Sequence, residues 1–212
     1  MGKTVTICFT NNKGGSGKST TCSNLGAAMA RAGKKVLLVD GDMQLNLSLA
    51  FFPEDWVLEH AQGEKNLYHA IGKQEDLTDY IVHTPYENLD LVPSSTLMSS
   101  IEYELFTKWQ REFILRKCLQ KIKDSEVYDY ILIDTPPIIS MSDAAIAAKQ
   151  CDGAILVIES EAVSRRDAMK AKEQLTKSGC KLLGAVLNKV DMKKEKYYSK
   201  YNSYYYGKSK QE

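Results

Sequence analysis

Between an apolar run at residues 4–9 and a stretch of helical periodicity beginning at Lys18, the chain reads Lys13-Gly14-Gly15-Ser16-Gly17-Lys18-Ser19-Thr20. Few architectures accept such a loop. Its glycines let consecutive backbone N–H groups turn inward around an anion, where side chains would collide, and the helix that opens there adds the positive end of its dipole. Strand, glycine-rich turn and helix in this order are the context a phosphate-binding P-loop requires. In that reading Lys18 reaches the β and γ phosphates, the Ser19 hydroxyl ligates Mg²⁺, and the segment from Lys13 through Gly14, Gly15, Ser16, Gly17 and Thr20 cradles the triphosphate.

The rest of the chain agrees with the fold this loop demands. Short apolar runs at residues 4–9, 35–39, 128–133, 154–158 and 182–187, with a sixth at Leu89–Val92, alternate with helical stretches at 18–32, 99–123 and 164–177. This is the pattern of β-α-β crossovers, hence an α/β, doubly wound, mostly parallel sheet flanked by helices in a Rossmann-like three-layer arrangement. Near-continuous hydrophobicity in the strands implies that both faces are covered. Gly33 is expected to cap the first helix and Gly179 to follow the last.

Composition excludes little. The chain has 212 residues, 43% hydrophobic and 26% charged, with a net charge of +1, so any affinity for nucleic acid or membrane must come from a local patch. No apolar run reaches the ~18 residues of a membrane span, and no signal peptide is evident. The expected location is cytoplasmic, at the nucleoid or the inner membrane surface only through a partner. Five scattered cysteines show no metal-ligand or disulfide spacing and read as small buried apolar residues.

Domain organisation follows. Residues 1–191 make one P-loop domain, and residues 192–212 change character, with lysines, Tyr197, Tyr198, Tyr201, Tyr204, Tyr205 and Tyr206, and no aliphatic residue after Met192. Such a segment lacks the anchors to offset its ordering entropy and is expected to be a mobile basic tail. Arg165, Arg166, Lys170 and Lys172, together with the tail lysines, could hold DNA non-specifically through its phosphates, though a solvated helix face explains the helical group equally well.

Two acidic strand ends point into the crevice that such sheets open at their C-terminal edge. One is Leu37-Leu38-Val39-Asp40-Gly41-Asp42-Met43-Gln44; the other, Tyr130-Ile131-Leu132-Ile133-Asp134-Thr135-Pro136-Pro137, has the form of a Walker-B element. Asp134 is expected to bind Mg²⁺, through water, while Asp40 and Asp42 could alternatively cap the next helix. After the last run, Asn188-Lys189-Val190-Asp191 has the N-K-x-D form that reads guanine, so GTP stays open beside ATP.

With Lys13 ahead of Gly14-Gly15, the loop resembles that of the deviant Walker-A ATPases, the family of ParA and MinD. The resemblance covers the chain to about residue 190. It implies that Lys13 reaches across an ATP-sandwiched homodimer to the partner's phosphates like an arginine finger. It also implies that Asp42 orients the attacking water, Asp40 supports the Mg²⁺ shell and Asn188 contacts adenine. The cofactors implied are ATP and Mg²⁺, and the partners are a second copy, an activating protein and DNA or other cargo to be positioned.

From Ile138 onward the chain resembles instead the bacterial tyrosine kinases of capsule and exopolysaccharide synthesis, through Ser142-Asp143-Ala144, residues 181–188 and the tyrosine cluster. That resemblance implies autophosphorylation of the six tail tyrosines and a membrane-anchored activator. Against it stand Lys13, Gln44 where those kinases usually have arginine, and the expectation that no oligomerising segment precedes the first strand. A hydrolytic ParA-type switch therefore ranks first and the kinase second.

Overall fold

The computed structural model describes residues 3–11, 14–135, 148 and 150–191. Its architecture follows from how the inner strands divide their side chains. In β1 (Val5–Thr10) Ile7 and Phe9 enter one apolar core and Cys8 another. In β2 (Val36–Asp40) Val36 and Leu38 join the first core, Leu37 and Val39 the second. Period-two alternation in a strand with apolar residues on both sides buries both faces, which is the condition of a strand inside a parallel sheet.

Five further strands complete the sheet among the described residues: β3 (Val82–His83), β4 (Leu89–Val92), β5 (Tyr130–Asp134), β6 (Gly153–Glu159) and β7 (Leu182–Asn188). Their spatial order is β3-β4-β2-β5-β1-β6-β7. All neighbours are parallel except the β3–β4 pair, so the expected doubly wound sheet is present. The six anticipated strands stand within two residues of their expected ends. The two-residue β3 was not anticipated, because so short a piece carries no readable period.

The helices whose full extent lies among the described residues are α1 (Lys18–Arg31), α2 (Asn46–Leu49), α3 (Glu54–Gln62), α4 (Leu67–Lys73), α5 (Ile101–Phe106), α6 (Ile114–Ser125) and α7 (Arg165–Lys177). On one face of the sheet α1 buries Cys22, Gly26 and Ala30, spaced four apart. A side chain at Gly26 would come within 2.7 Å of Leu38, so glycine there lets the helix lie close against the strands. The other face is covered by α4, α6 and α7 through residues such as Leu67, Ile71, Ile114, Leu119 and Leu175. No helix of the described residues is long and apolar enough to cross a membrane.

One expectation is corrected. The helical stretch at 99–123 is not one helix but a 3-10 turn at Thr96–Ser100, α5, a second 3-10 turn at Arg111–Phe113, and α6. Ile101 and Leu105 pack against the core before the break, and Ile114, Cys118 and Ile122 after it. Nine residues separate Leu105 from Ile114, about two and a half helical turns, so an unbroken helix would aim the second group away from the sheet. Gln110, in the left-handed region at φ 55°, makes the turn that restores the phase.

Candidate nucleotide site

The C-terminal ends of β1, β2 and β5 meet at one place. Asp40 and Asp134 are register partners on adjacent strands, and Phe9 lies opposite Asp134 from the other side. Gly41 N–H donates to the Asp134 carbonyl at 2.9 Å, and the Thr135 hydroxyl donates to the Phe9 carbonyl at 2.7 Å. Backbone pairing thus fixes two carboxylates side by side before any side-chain choice is made.

Their surroundings differ. Asp40 is fully buried, and its carboxylate accepts the Ser48 hydroxyl at 2.6 Å, the Ser48 N–H at 2.9 Å and the Asp42 N–H at 3.2 Å. Burial pushes its pKa up to about 6 against the pull of those donors. Its oxygens are thus engaged in holding the turn after β2 and the start of α2. Asp42, nearly buried, accepts the Gln44 N–H at 3.0 Å. Asp134 is fully buried, and neither oxygen meets a partner of sound geometry among the described residues. Burial pushes its pKa up to about 7, helped by the charges of Asp40 and Asp42, while the Ser19 hydroxyl and Lys18 pull it down.

The loop supplies the opposite charge. Lys18 begins α1 and is 5% exposed, with its ammonium donating to Asn11 Oδ1 at 2.9 Å. Burial lowers its pKa, and Asp134 and Asp42 oppose that shift. The Asn11 amide in turn donates to the Ser16 hydroxyl, so one buried carboxamide holds both the lysine and the loop. Asn11 was not singled out in the sequence; a polar side chain at the end of an apolar strand was the available signal. Gly15 and Gly17 adopt φ 77° and 90°, and a side chain at Gly17 would collide with Asn188, 2.1 Å from its Nδ2. Asn188, at the end of β7, donates to the Ser16 carbonyl at 2.9 Å. It therefore clamps the loop from 172 residues away. Gly14 and Thr20 are exposed at the rim and Ser19 half-buried.

Lys13, Pro136, Pro137, Ser142, Asp143, Ala144 and tyrosines 197, 198, 201, 204, 205 and 206 lie outside the described residues. Arg165, Arg166, Lys170 and Lys172 are exposed on α7, whose buried residues are Ala171 and Leu175.

A cavity of about 980 Å³ starts at the loop and the carboxylates, lined there by Lys18, Ser19, Asp42 and Asp134, and continues to an apolar wall that includes Leu67, Ile71, Met98, Ile101, Leu105 and Leu115. Among the described residues no three His, Cys, Asp or Glu side chains converge on a metal. An ion here would draw its remaining ligands from phosphate oxygens and water, as Mg²⁺ does. The orphaned Asp134 carboxylate beside Ser19 fits that donor set, and the inward loop with its buried lysine fits a polyphosphate.

A loop of this form, opening a helix off an inner strand of a mostly parallel sheet, gives the chain the fold of the P-loop nucleoside triphosphatases. It belongs to the family described as an AAA domain, whose model matches residues 4–184, with relatives both of the ParA type and among tyrosine kinases. Tyrosine-protein kinase CpsD of Streptococcus agalactiae serotype III is 36% identical over 185 residues, covering 87% of this chain and 74% of its own. CpsD of Streptococcus pneumoniae is 35% identical over 204 residues, 95% of this chain and 84% of its own. The sporulation initiation inhibitor protein Soj of Bacillus subtilis is 38% identical over 160 residues, 72% of this chain and 60% of its own. Among solved structures, a plasmid partition protein of Borrelia burgdorferi bound to AMPPNP matches with a TM-score of 0.69 at 25% identity, covering 87% of this chain and 74% of that one.

Proposed function

We propose that this protein transfers the terminal phosphoryl group of ATP to tyrosine hydroxyls, with its own Tyr197, Tyr198, Tyr201, Tyr204, Tyr205 and Tyr206 as the acceptors. The observation that carries this reading is the continuation of the cavity past the phosphate loop to an apolar wall. Water as the nucleophile needs no such wall, whereas an aromatic acceptor gains from burying its ring there. The similarity to pneumococcal CpsD supports it further. Residues 192–212 are about a tenth of the chain, so an alignment covering 95% of it extends into them. On this reading the hydrolytic switch that the site motifs put first takes second place.

In this reading Lys18 exchanges Asn11 for phosphate oxygens and offsets the charge that develops on them. Asp134 and Ser19 hold Mg²⁺, which when bound neutralises phosphate charge. Asp42, on the cavity wall, orients the acceptor hydroxyl, and Asp40 keeps the Asp42 turn in place. ATP is proposed over GTP on the strength of the AMPPNP bound to the Borrelia neighbour. A membrane-anchored activator is the partner this reading expects.

A hydrolytic ParA-type switch is the second reading, favoured by the 38% identity to Soj and by Lys13. Incubating the purified chain with ATP and Mg²⁺ separates the two. Phosphotyrosine within residues 197–206, absent from Lys18→Ala and from the sixfold Tyr→Phe variant, is the expected result. Release of inorganic phosphate with no phosphotyrosine would move the assignment to the switch. Nucleotide binding with neither product would point to a non-hydrolysing scaffold.

A further inference from the structure

Seven residues other than glycine hold a positive φ among the described residues, and six of them are polar and exposed or half-buried. Leu45 is the exception, apolar, 4% exposed and at φ 59°. A bulky side chain keeps to that region only where its surroundings impose it. The surroundings here are those of α3. Leu45 is buried in a small core with Val57 and Ala61, and Phe52 and Trp56 pack against it. Trp56 stacks between Phe52 and His60, at ring-centroid distances of 4.0 and 3.6 Å, and His60 Nδ1 donates to the Trp56 carbonyl at 3.0 Å. Two fully buried side chains tie down the far end of α3. The Ser95 hydroxyl donates to the Ala61 carbonyl at 2.6 Å, and the Asn66 amide to the carbonyls of His60 and Gly63 at 2.9 and 2.8 Å. The leucine thus wedges against a helix that is itself held.

The backbone of Leu45 joins two parts of the candidate site. Its N–H donates to the Asp42 carbonyl at 3.1 Å, closing the turn in which the Asp42 carboxylate accepts the Gln44 N–H. Its carbonyl accepts the Leu49 N–H at 2.9 Å and starts α2, whose Ser48 reaches back to Asp40. The dihedrals of this one residue therefore set the angle between the Asp42 turn and α2. Relaxed to the right-handed region, they would send α2 off in another direction, and Ser48 and Asp42 would not both keep their places. We propose that Leu45 is the positioning residue of the site, a wedge against α3 that holds a left-handed backbone, keeps Asp42 aimed at the cavity and couples the phosphate site to the Trp56 stack. The role rests on the one given to Asp42 above. Leu45 is not on the cavity wall, which Asp42, Met43, Gln44 and Asn46 line, so it acts through its neighbours.

The experiment measures kcat and KM for ATP on the purified full chain, counting phosphotyrosine and inorganic phosphate together. A parent that makes phosphate alone sinks the tyrosine reading without touching the wedge. Leu45→Ala should lose on the order of a hundredfold in kcat with KM within about twofold of the parent, and Leu45→Met should recover most of the loss. Leu45→Gly escapes the left-handed penalty yet should be as slow as Leu45→Ala, because the wedge is gone. Val57→Ala loosens the same core from the α3 side, should lower kcat by a smaller factor, and serves where Leu45→Ala does not fold. Parental kcat in any of the Ala or Gly variants, or a loss confined to KM, would overturn the proposal. Should the parent give neither product, Trp56 emission is read in a Trp109→Phe background, where Trp56 is the chain's single tryptophan. ATP with Mg²⁺ should change that emission in the parent and leave it unchanged in Leu45→Ala. An unresponsive parent would overturn the proposal equally.

Discussion

A buried carboxylate with no hydrogen-bond partner loses its hydration without compensation, at a cost of about 1–3 kcal/mol and more when charged, and among the described residues Asp134 stands in that position beside buried Asp40. Its pKa of about 7 lies above the ordinary 3.8. The folded chain therefore holds a proton that the unfolded chain releases, and this contribution to stability is complete below the ordinary value and lost as pH rises through about 7. The nucleotide-free protein should lose melting temperature between about pH 4 and about pH 7, beyond what Asp134→Asn loses. Protection by ATP with Mg²⁺ should grow over the same interval, because the ion must displace that proton. Asp134→Asn should raise the nucleotide-free stability by on the order of 1 kcal/mol and abolish the Mg²⁺-dependent part of the protection. Thermal melts across pH check all three. Asp134 was legible as an acid closing an apolar strand. The Asp40–Ser48 bonds were not, because they form only when the chain returns eight residues later.

At the scale of elements, the broken helix shows how a core overrides local propensity. Residues 99–123 have helical periodicity throughout, yet the stripe before Phe106 and the stripe after Ile114 are out of phase, and packing both on one sheet requires the turn at Gln110. A non-glycine residue in the left-handed region costs roughly 1–2 kcal/mol. Gln110→Gly should then raise the urea midpoint, corresponding to roughly 0.5–1 kcal/mol of unfolding free energy net of the added chain entropy, with nucleotide affinity unchanged. A lower midpoint would show that the turn is not strained at that residue.

The whole molecule presents its phosphate loop at the rim of the sheet, with Gly14, Gly15 and Thr20 exposed. An exposed rim suits the ATP-sandwiched homodimer that the ParA resemblance implies, in which Lys13 reaches the other subunit's phosphates. Light scattering should record a doubling of mass with ATP and Mg²⁺ under the second reading, and Lys13→Ala should remain monomeric while still binding nucleotide. Lys18→Ala should fail at the earlier step and bind poorly. A parent that stays monomeric with saturating nucleotide would remove the sandwich from either reading.

The fold and the heart of the site were written locally. A glycine loop between strand and helix can meet its steric needs in few ways, and apolar runs of strand length alternating with helical periods specify a parallel sheet without reference to distant residues. Tertiary structure decided what depends on chain segments meeting across the sequence. Asn188 clamps Ser16, Asn11 holds Lys18, and Ser48 returns to Asp40. Hydrogen bonds need approach within a few ångströms, and a one-dimensional pattern records which residues can pair but not which are brought together.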